Sequence, residues 1–399
     1  YVQSFTINVS NMKVISILGS TGSIGRSTLS VVDLHPEKFK IFALSGFNNN
    51  DLLLEQAIKF KPSFIVTKNL FSKKILMDKL KDTKLKTEVL YGDEGYTFIA
   101  SHEKVTTVVA AITGSAGLIS TIEAAKNGKQ ILLANKESMV MAGELINKIC
   151  VENNSTLIPV DSEHNAIFQV LSKNSDSEEI KKIILTASGG PFRFHSLKNL
   201  QKVTVEEALN HPNWKMGKKI SIDSATMMNK GLEVIEASHL FRLGIKKIEV
   251  VMHPQSIIHS FVEYIDGSSL SQMGSPDMRV PIAYALGYPN RITSGVEGVL
   301  LDKLSSLEFY KPDLKKFRCL DLCYQALSMG DAHCISLNAS NELAVEAFLS
   351  GKINFIQIPE LIEKMLVKTE VMNVNSVEHI LELDNYARDE TNKILNKTL

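Results

Sequence analysis

Short apolar runs punctuate the first 160 residues: Val14–Leu18, Ile41–Leu44, Phe64–Val66, Val108–Ile112, Ile131–Ala134 and Leu157–Val160. Stretches with helical spacing lie between them, among them one carrying Ile119 and Ile122 that stops at Gly128, a residue suited to a left-handed helix cap. Few architectures accept such an alternation. Brief, wholly apolar strands need cover on both faces, and intervening helices supply it, so the expected fold of residues 12–160 is a doubly wound (Rossmann-like) parallel sheet of the α/β class.

Beyond Asp161 the alternation breaks. A helix over Ala166–Leu171, a strand over Lys182–Ala187 and a Gly-Gly-Pro turn lead to a capping box, Thr204 with Glu207. A helix around Met227–Phe241, a strand over Ile248–Met252 and a hairpin follow, the hairpin pairing Ile257–Ile265 with Leu270–Met273 around Asp266-Gly267. Residues 161–289 therefore read as an α+β domain, joined by a looser link over 290–311 to a C-terminal helical bundle over 312–399. In that last part Leu320, Cys323, Tyr324 and Leu327, then Leu361, Ile362, Met365 and Leu366, then Ile380, Ala387 and Ile394 keep helical spacing.

Composition narrows the partners. The chain has 44 Lys+Arg against 44 Asp+Glu in 399 residues, without the basic excess of a general nucleic-acid binder; a local anion pocket stays open. No run approaches the ~18 apolar residues of a membrane span. Four cysteines (Cys150, Cys319, Cys323, Cys334) make no disulfide framework. Cys319 and Cys323 stand four apart but lack a second ligand pair, so packed free thiols in a reducing compartment are expected. Tyr1–Asn11 has neither a basic n-region nor a long apolar core and does not read as a signal peptide.

Seven stretches carry the chemistry. Gly19-Ser20-Thr21-Gly22-Ser23-Ile24-Gly25 follows the first strand and opens a helix, a glycine turn that lets backbone N–H groups approach a pyrophosphate. The second strand ends in Ser45-Gly46-Phe47-Asn48-Asn49-Asn50, with no carboxylate to hold a ribose diol, which favours NADP over NAD. Asn135-Lys136-Glu137-Ser138 stands at another strand end, where Lys136 could neutralise a phosphate or polarise a carbonyl, or simply open a solvated helix. Asp161-Ser162-Glu163-His164 follows a further strand. On an extended chain the carboxylates of Asp161 and Glu163 would face one way and suit a hard divalent cation; on a helix start they would cap and charge its first turn. Asp223 to Glu233 holds Ser224, Asn229 and Lys230, a donor set for a phosphate, and Glu233, which could complete a three-carboxylate metal site with Asp161 and Glu163. Ser188 adds a hydroxyl at a strand end. Trp214, the only Trp, sits in the polar segment His211–Lys219, suited either to a lid or to anchoring a surface loop. Of the histidines, His211 and His259 are the functional candidates, whereas His35, His102 and His379 read as surface residues.

Taken in order, the strings GSTGSIG, LLANKES, PVDSEHNAIFQ, SGGPF, HPNWKMGKKI, SIDSATMMNKGLE and HPQSIIHS, with Leu337–Glu342 beyond them, resemble the 1-deoxy-D-xylulose-5-phosphate reductoisomerase family. The resemblance implies a homodimer that binds NADPH on the first domain and a divalent cation, Mg²⁺ or Mn²⁺ with Co²⁺ as a further candidate, beside a sugar phosphate on the second. It implies rearrangement by retro-aldol cleavage and re-addition, with an α-ketol shift as the alternative, then hydride reduction to 2-C-methyl-D-erythritol 4-phosphate. Asp161, Glu163 and Glu233 would hold the metal. Ser188, His211, Ser224, Asn229 and Lys230 would surround the phosphate, with Ser162 and Lys136 nearer the reacting carbons and His259 also at the substrate. Thr21, Gly22, Ser23, Ile24, Gly46, Asn48, Asn135, Glu137 and Gly217 would meet the cofactor. Trp214 and Met216 would ride on a flap over about 195–219. One departure stands out: many relatives carry a basic residue where Phe47 stands, which leaves the partner of the cofactor 2′-phosphate open between Asn48, Asn49 and other donors. Two rival readings are a plain NADP-dependent dehydrogenase and a non-catalytic NADPH sensor. A bacterial cytoplasmic location is expected over a processed organellar one.

Overall fold

The computed structural model describes residues 12–171, 178–214 and 216–398. The extension Tyr1–Asn11, and Lys215 in the expected flap, lie outside them. In chain order the first elements are β1 (Lys13–Leu18), α1 (Ser23–Asp33), β2 (Phe39–Ser45), α2 (Asn50–Phe60), β3 (Phe64–Thr67), α3 (Leu70–Lys81) and β4 (Glu88–Tyr91). There follow α4 (Gly92–Ser101), β5 (Thr107–Ala110), α5 (Leu118–Lys126), β6 (Gln130–Leu133), α6 (Lys136–Glu152), β7 (Thr156–Pro159) and α7 (Ser162–Val170). The strands form one seven-stranded, all-parallel sheet in the order β4-β3-β2-β1-β5-β6-β7. This is the expected Rossmann-like fold.

The chain divides into two compact units, and the first comprises this sheet with residues 12–135, 146–168 and 277–297. Its core is built by the predicted apolar runs: Ile15, Ile17, Leu44, Ile65, Val109, Leu132 and Ile158 are all buried. One strand, β4, was not expected, because Glu88-Val89-Leu90-Tyr91 at the sheet edge buries only Val89 and so presents no apolar run. A later helix, α12 (Arg279–Gly287), also joins this unit. Ile282, Ala283 and Leu286 enter its core, and Lys13 Nζ donates to the carbonyls of Leu286 and Tyr288.

Of the described residues, the second unit holds 136–145, 169–171, 178–214, 216–276 and 298–398. It contains β8 (Ile180–Ala187), α8 (Leu197–Leu200), α9 (Val205–Leu209), α10 (Lys218–Thr226), α11 (Met228–Phe241), β9 (Ile248–Met252), β10 (Ile258–Tyr264) and β11 (Ser269–Met273). The four strands form a mixed sheet, β11-β10-β8-β9, whose β10–β11 hairpin and Thr204–Glu207 capping box are those expected. The expected helix around Met227–Phe241 is α11, and α10 before it was not expected. Met227 takes a left-handed conformation (φ 59°) that ends α10 and starts α11. The rest is helical, α13 (Arg318–Met329), α14 (Asp331–Leu349), α15 (Gln357–Lys368) and α16 (Val377–Thr398), as the helical spacing implied. All four cysteines are buried free thiols. No helix among the described residues is long and apolar enough to cross a membrane.

Candidate active site

In the first unit the strand order reverses between β1 and β5, and the carboxyl ends of those strands are where a doubly wound sheet binds its ligand. The glycine turn lies there. Gly19 has φ +85°, and a Cβ on it would stand 2.7 Å from the carbonyl oxygen of Ala111, at the end of β5. Only glycine fits so close an approach in that conformation. Gly25 lets α1 sit against the turn, since a Cβ there would be 2.4 Å from Gly19 O. Gly22 caps α1 without a side-chain acceptor, so the first N–H groups of the helix face outward, with Thr21, Ser23 and Ile24 around them. Ser45 Oγ accepts from Gly19 N at 2.8 Å, and Ser20 Oγ donates to Gln56 Oε1 at 2.7 Å, which fixes the turn to β2 and α2. Gly46 abuts the Thr21 side chain, and Asn48 is exposed beside it. Asn135 is buried, and its amide donates to the carbonyls of Ile112 and Gly114, bracing the loop after β5. Such an open, amide-lined turn fits a dinucleotide.

At the end of β7 the chain turns directly into α7, so Glu163 is helical, and of the two arrangements open to Asp161 and Glu163 the helix start is the one present. Asp161 Oδ1 accepts from Glu163 N at 3.2 Å, the helix-capping arrangement, while Ser162 Oγ donates to Glu163 Oε2 at 2.7 Å. Both carboxylates are half-buried and supply hard oxygen donors of the kind a divalent cation takes.

The second unit gathers the other polar candidates. Glu233 on α11 is only 1% exposed. Its carboxylate accepts from Lys136 Nζ at 3.0 Å, from Asn229 Nδ2 at 2.5 Å and from the ammonium of Lys230. Lys136 Nζ also donates to Asn229 Oδ1 at 2.8 Å. Asn229 and Glu233 stand four apart on one face of α11, and two buried cations meet one anion.

Ser188 follows β8. Gly189 (φ +77°) and Gly190 (φ +62°) turn the chain so tightly that a Cβ on Gly190 would lie 2.7 Å from Ser224 O, which puts the Ser188 loop against the end of α10. Ser188 Oγ is 2.9 Å from His211 Nε2. His211 Nδ1 accepts from the backbone N–H groups of Asn213 (3.1 Å) and Trp214 (2.9 Å), so the proton sits on Nε2 and points at Ser188. Burial, then the Arg193 guanidinium, pushes the His211 pKa down to about 4. The ring is therefore a neutral donor at pH 7. Trp214 is half-buried, and Gly217 caps α10 in open surroundings. His259 is buried on β10.

Two features escaped the sequence reading. Glu137 is buried against Lys219, which also reaches Asp223, itself held by Asn341 of α14. The four-residue spacing of Lys219 and Asp223 was the one available signal; the partners from α6 and α14 are remote in sequence. His35, expected at the surface, is buried because its Nε2 lies 2.8 Å from the Thr293 carbonyl, next to α12.

A Rossmann-type sheet with an open glycine turn is the architecture of a dinucleotide-binding protein. Sequence models of 1-deoxy-D-xylulose 5-phosphate reductoisomerase match residues 15–143, those of its C-terminal domain residues 157–241, and those of the DXP reductoisomerase C-terminal domain residues 273–390. A 1-deoxy-D-xylulose 5-phosphate reductoisomerase of Nitrosomonas eutropha is 51% identical over 96% of this chain and 93% of its own length. One of Psychrobacter is 50% identical over 94% and 97%. A crystal structure of DOX-P reductoisomerase in complex with NADPH, fosmidomycin and magnesium is 48% identical, with a TM-score of 0.93 over 96% of this chain and 98% of that one. The enzyme from Zymomonas mobilis in complex with NADPH is 40% identical, with a TM-score of 0.90 over 96% and 99%. The chain belongs to the 1-deoxy-D-xylulose 5-phosphate reductoisomerase family.

Proposed function

We infer that the chain converts 1-deoxy-D-xylulose 5-phosphate to 2-C-methyl-D-erythritol 4-phosphate in the non-mevalonate isoprenoid route, using NADPH and a divalent cation, Mg²⁺, Mn²⁺ or Co²⁺. The observation that carries the reading is the buried convergence of Lys136, Asn229 and Lys230 on Glu233, in a chain of this family with a dinucleotide turn. A plain dehydrogenase or a nucleotide sensor would leave that cluster without a role.

When bound, the cation polarises the substrate's carbonyl and hydroxyl oxygens, and the nicotinamide supplies hydride. Asp161, Glu163 and Glu233 are the oxygen ligands for the cation. Lys230, Asn229, Ser188 and Ser224 bind the substrate phosphate, to which the neutral His211 donates from Nε2. Lys136 and Ser162 orient the reacting oxygens, and His259 lines the substrate. Drawing Lys136 and Lys230 from Glu233 onto anionic substrate oxygens re-pairs both ammonium groups, and the bound cation would balance the Glu233 carboxylate they leave. The segment about 195–219, with Trp214 and Met216, covers the substrate and excludes water. Residues 12–160 carry the cofactor through Thr21, Gly22, Ser23, Ile24, Gly46, Asn48 and Asn135, and Glu137 and Gly217 complete its site. Residues 161–289 carry the metal and substrate, 290–311 link, and 312–399 form the helical part. A homodimer in the bacterial cytoplasm is part of this reading. Absorbance of NADPH, followed with this substrate and Mn²⁺ before and after EDTA, tests it: loss that needs both supports the reading, and substrate-independent or EDTA-resistant behaviour opposes it.

A further inference from the structure

The second-strand loop presents a problem of charge. NADPH differs from NADH by a 2′-phosphate dianion, which a doubly wound domain meets at the end of β2. Here that end is Ser45-Gly46-Phe47-Asn48-Asn49, with no cation of its own. Asn49 is partly committed, since its Oδ1 accepts from Leu52 N to cap α2. The nearest acid along the chain, Asp51, is paired with Lys79 of α3 at 2.5 Å and does not stand unbalanced there.

The neighbouring strand supplies what the loop lacks. In the β2–β3 pairing Ser45 stands beside Val66, and Gly46 N donates to Val66 O at 2.9 Å, so the register carried two residues on brings Phe47 beside Lys68. The Lys68 ammonium lies over the Phe47 ring, 4.4 Å from its centroid. Thr67 Oγ1 donates to Asn50 Oδ1 at 2.8 Å, which ties the end of β3 to the start of α2. Phe47 is 55% exposed and Lys68 is exposed beside it. The ring holds the ammonium at the mouth of the loop, and among the described residues no carboxylate is paired with it.

We propose that Lys68 recognises the 2′-phosphate of NADPH, supplying from the end of β3 the positive charge that Phe47 does not provide from the end of β2. Asn48 and the first N–H groups of α2 are the accompanying donors. The proposal rests on the reading of this chain as an NADPH enzyme, and makes Lys68 a cofactor-specificity residue.

Direct titration of NADPH and NADH by nucleotide fluorescence, with no turnover, tests it on the wild-type protein, Lys68→Met, and Phe47→Arg/Lys68→Met. Lys68 is an exposed loop residue, so the single variant keeps the fold, which circular dichroism checks. Lys68→Met is expected to weaken NADPH about 10- to 100-fold, the range for one charge-assisted contact, and to leave NADH within about twofold. Salt should weaken NADPH binding to wild type more steeply than to the variant, and Phe47→Arg should restore affinity. An NADPH affinity in Lys68→Met within about twofold of wild type would overturn the proposal, as would equal loss of both nucleotides. Wild-type protein that binds neither nucleotide would instead defeat the functional reading on which it rests.

Discussion

Replacing Lys219 by Met removes the cation shared by two acids inside the second unit. Lys219 Nζ lies 2.6 Å from Glu137 Oε1 and 2.9 Å from Asp223 Oδ2, and those side chains are 6% and 2% exposed. The amide of Asn341 remains on the other Asp223 oxygen at 3.0 Å. Removing one partner of a buried pair costs about 3–5 kcal/mol; Lys219 keeps some exposure, so about 3 kcal/mol is expected. Urea unfolding followed by circular dichroism measures it, and the fluorescence of Trp214, the only Trp, reports the segment beside Lys219. The pH dependence gives a second check. Burial opposes ionisation of Glu137, but the Lys219 ammonium outweighs it and holds the pKa below its ordinary 4.5. A depressed carboxylate pKa contributes stability that is complete above the unfolded value and lost as pH falls through the folded one. The gap between wild type and variant should thus be widest near neutrality and narrow below about pH 4.5. A gap under about 1 kcal/mol at pH 7, or one that widens on acidification, would refute this account of the cluster.

Gly19→Ala forces φ +85° and a Cβ 2.7 Å from Ala111 O; about 1–3 kcal/mol of strain and at least ~10-fold weaker NADPH binding are expected in a fluorescence titration. Nitrogen NMR of His211 should show a neutral ring, protonated at Nε2, down to pH 5, with a midpoint near 4. Since that pKa is lowered on folding, the ring's contribution to stability is complete above its unfolded value of 6.5 and is lost as pH falls toward 4; a midpoint at 6.5 would mean a solvated ring. Glu233→Gln should still bind NADPH yet lose at least ~100-fold in kcat, and near-normal kcat would remove Glu233 from the metal site.

What could be read from the sequence followed from how local each signal is. Six strands of the first sheet were legible because burial on both faces makes them continuous apolar runs; β4, half-exposed at the edge, has no such signature. Asn229, Lys230 and Glu233 were legible as candidates because they share one short stretch of chain, whereas Lys136, 97 residues from Glu233, joins them only through the fold. Of the two arrangements open to Asp161 and Glu163, the helix-start cap is the one present, because α7 begins one residue after Asp161. Lys68 was invisible for a related reason: its place beside Phe47 is set by the pairing of β2 with β3, which no spacing along the chain encodes.

This chain couples a metal-assisted carbon rearrangement to hydride transfer. The most direct measurement incubates the protein with 1-deoxy-D-xylulose 5-phosphate, NADPH and Mg²⁺ or Mn²⁺, follows NADPH absorbance and identifies the product by mass and NMR. One NADPH is expected to be consumed for each 2-C-methyl-D-erythritol 4-phosphate formed, with turnover abolished by EDTA and restored by added cation. Oxidation of NADPH without the branched product, or undiminished turnover in EDTA, would contradict it.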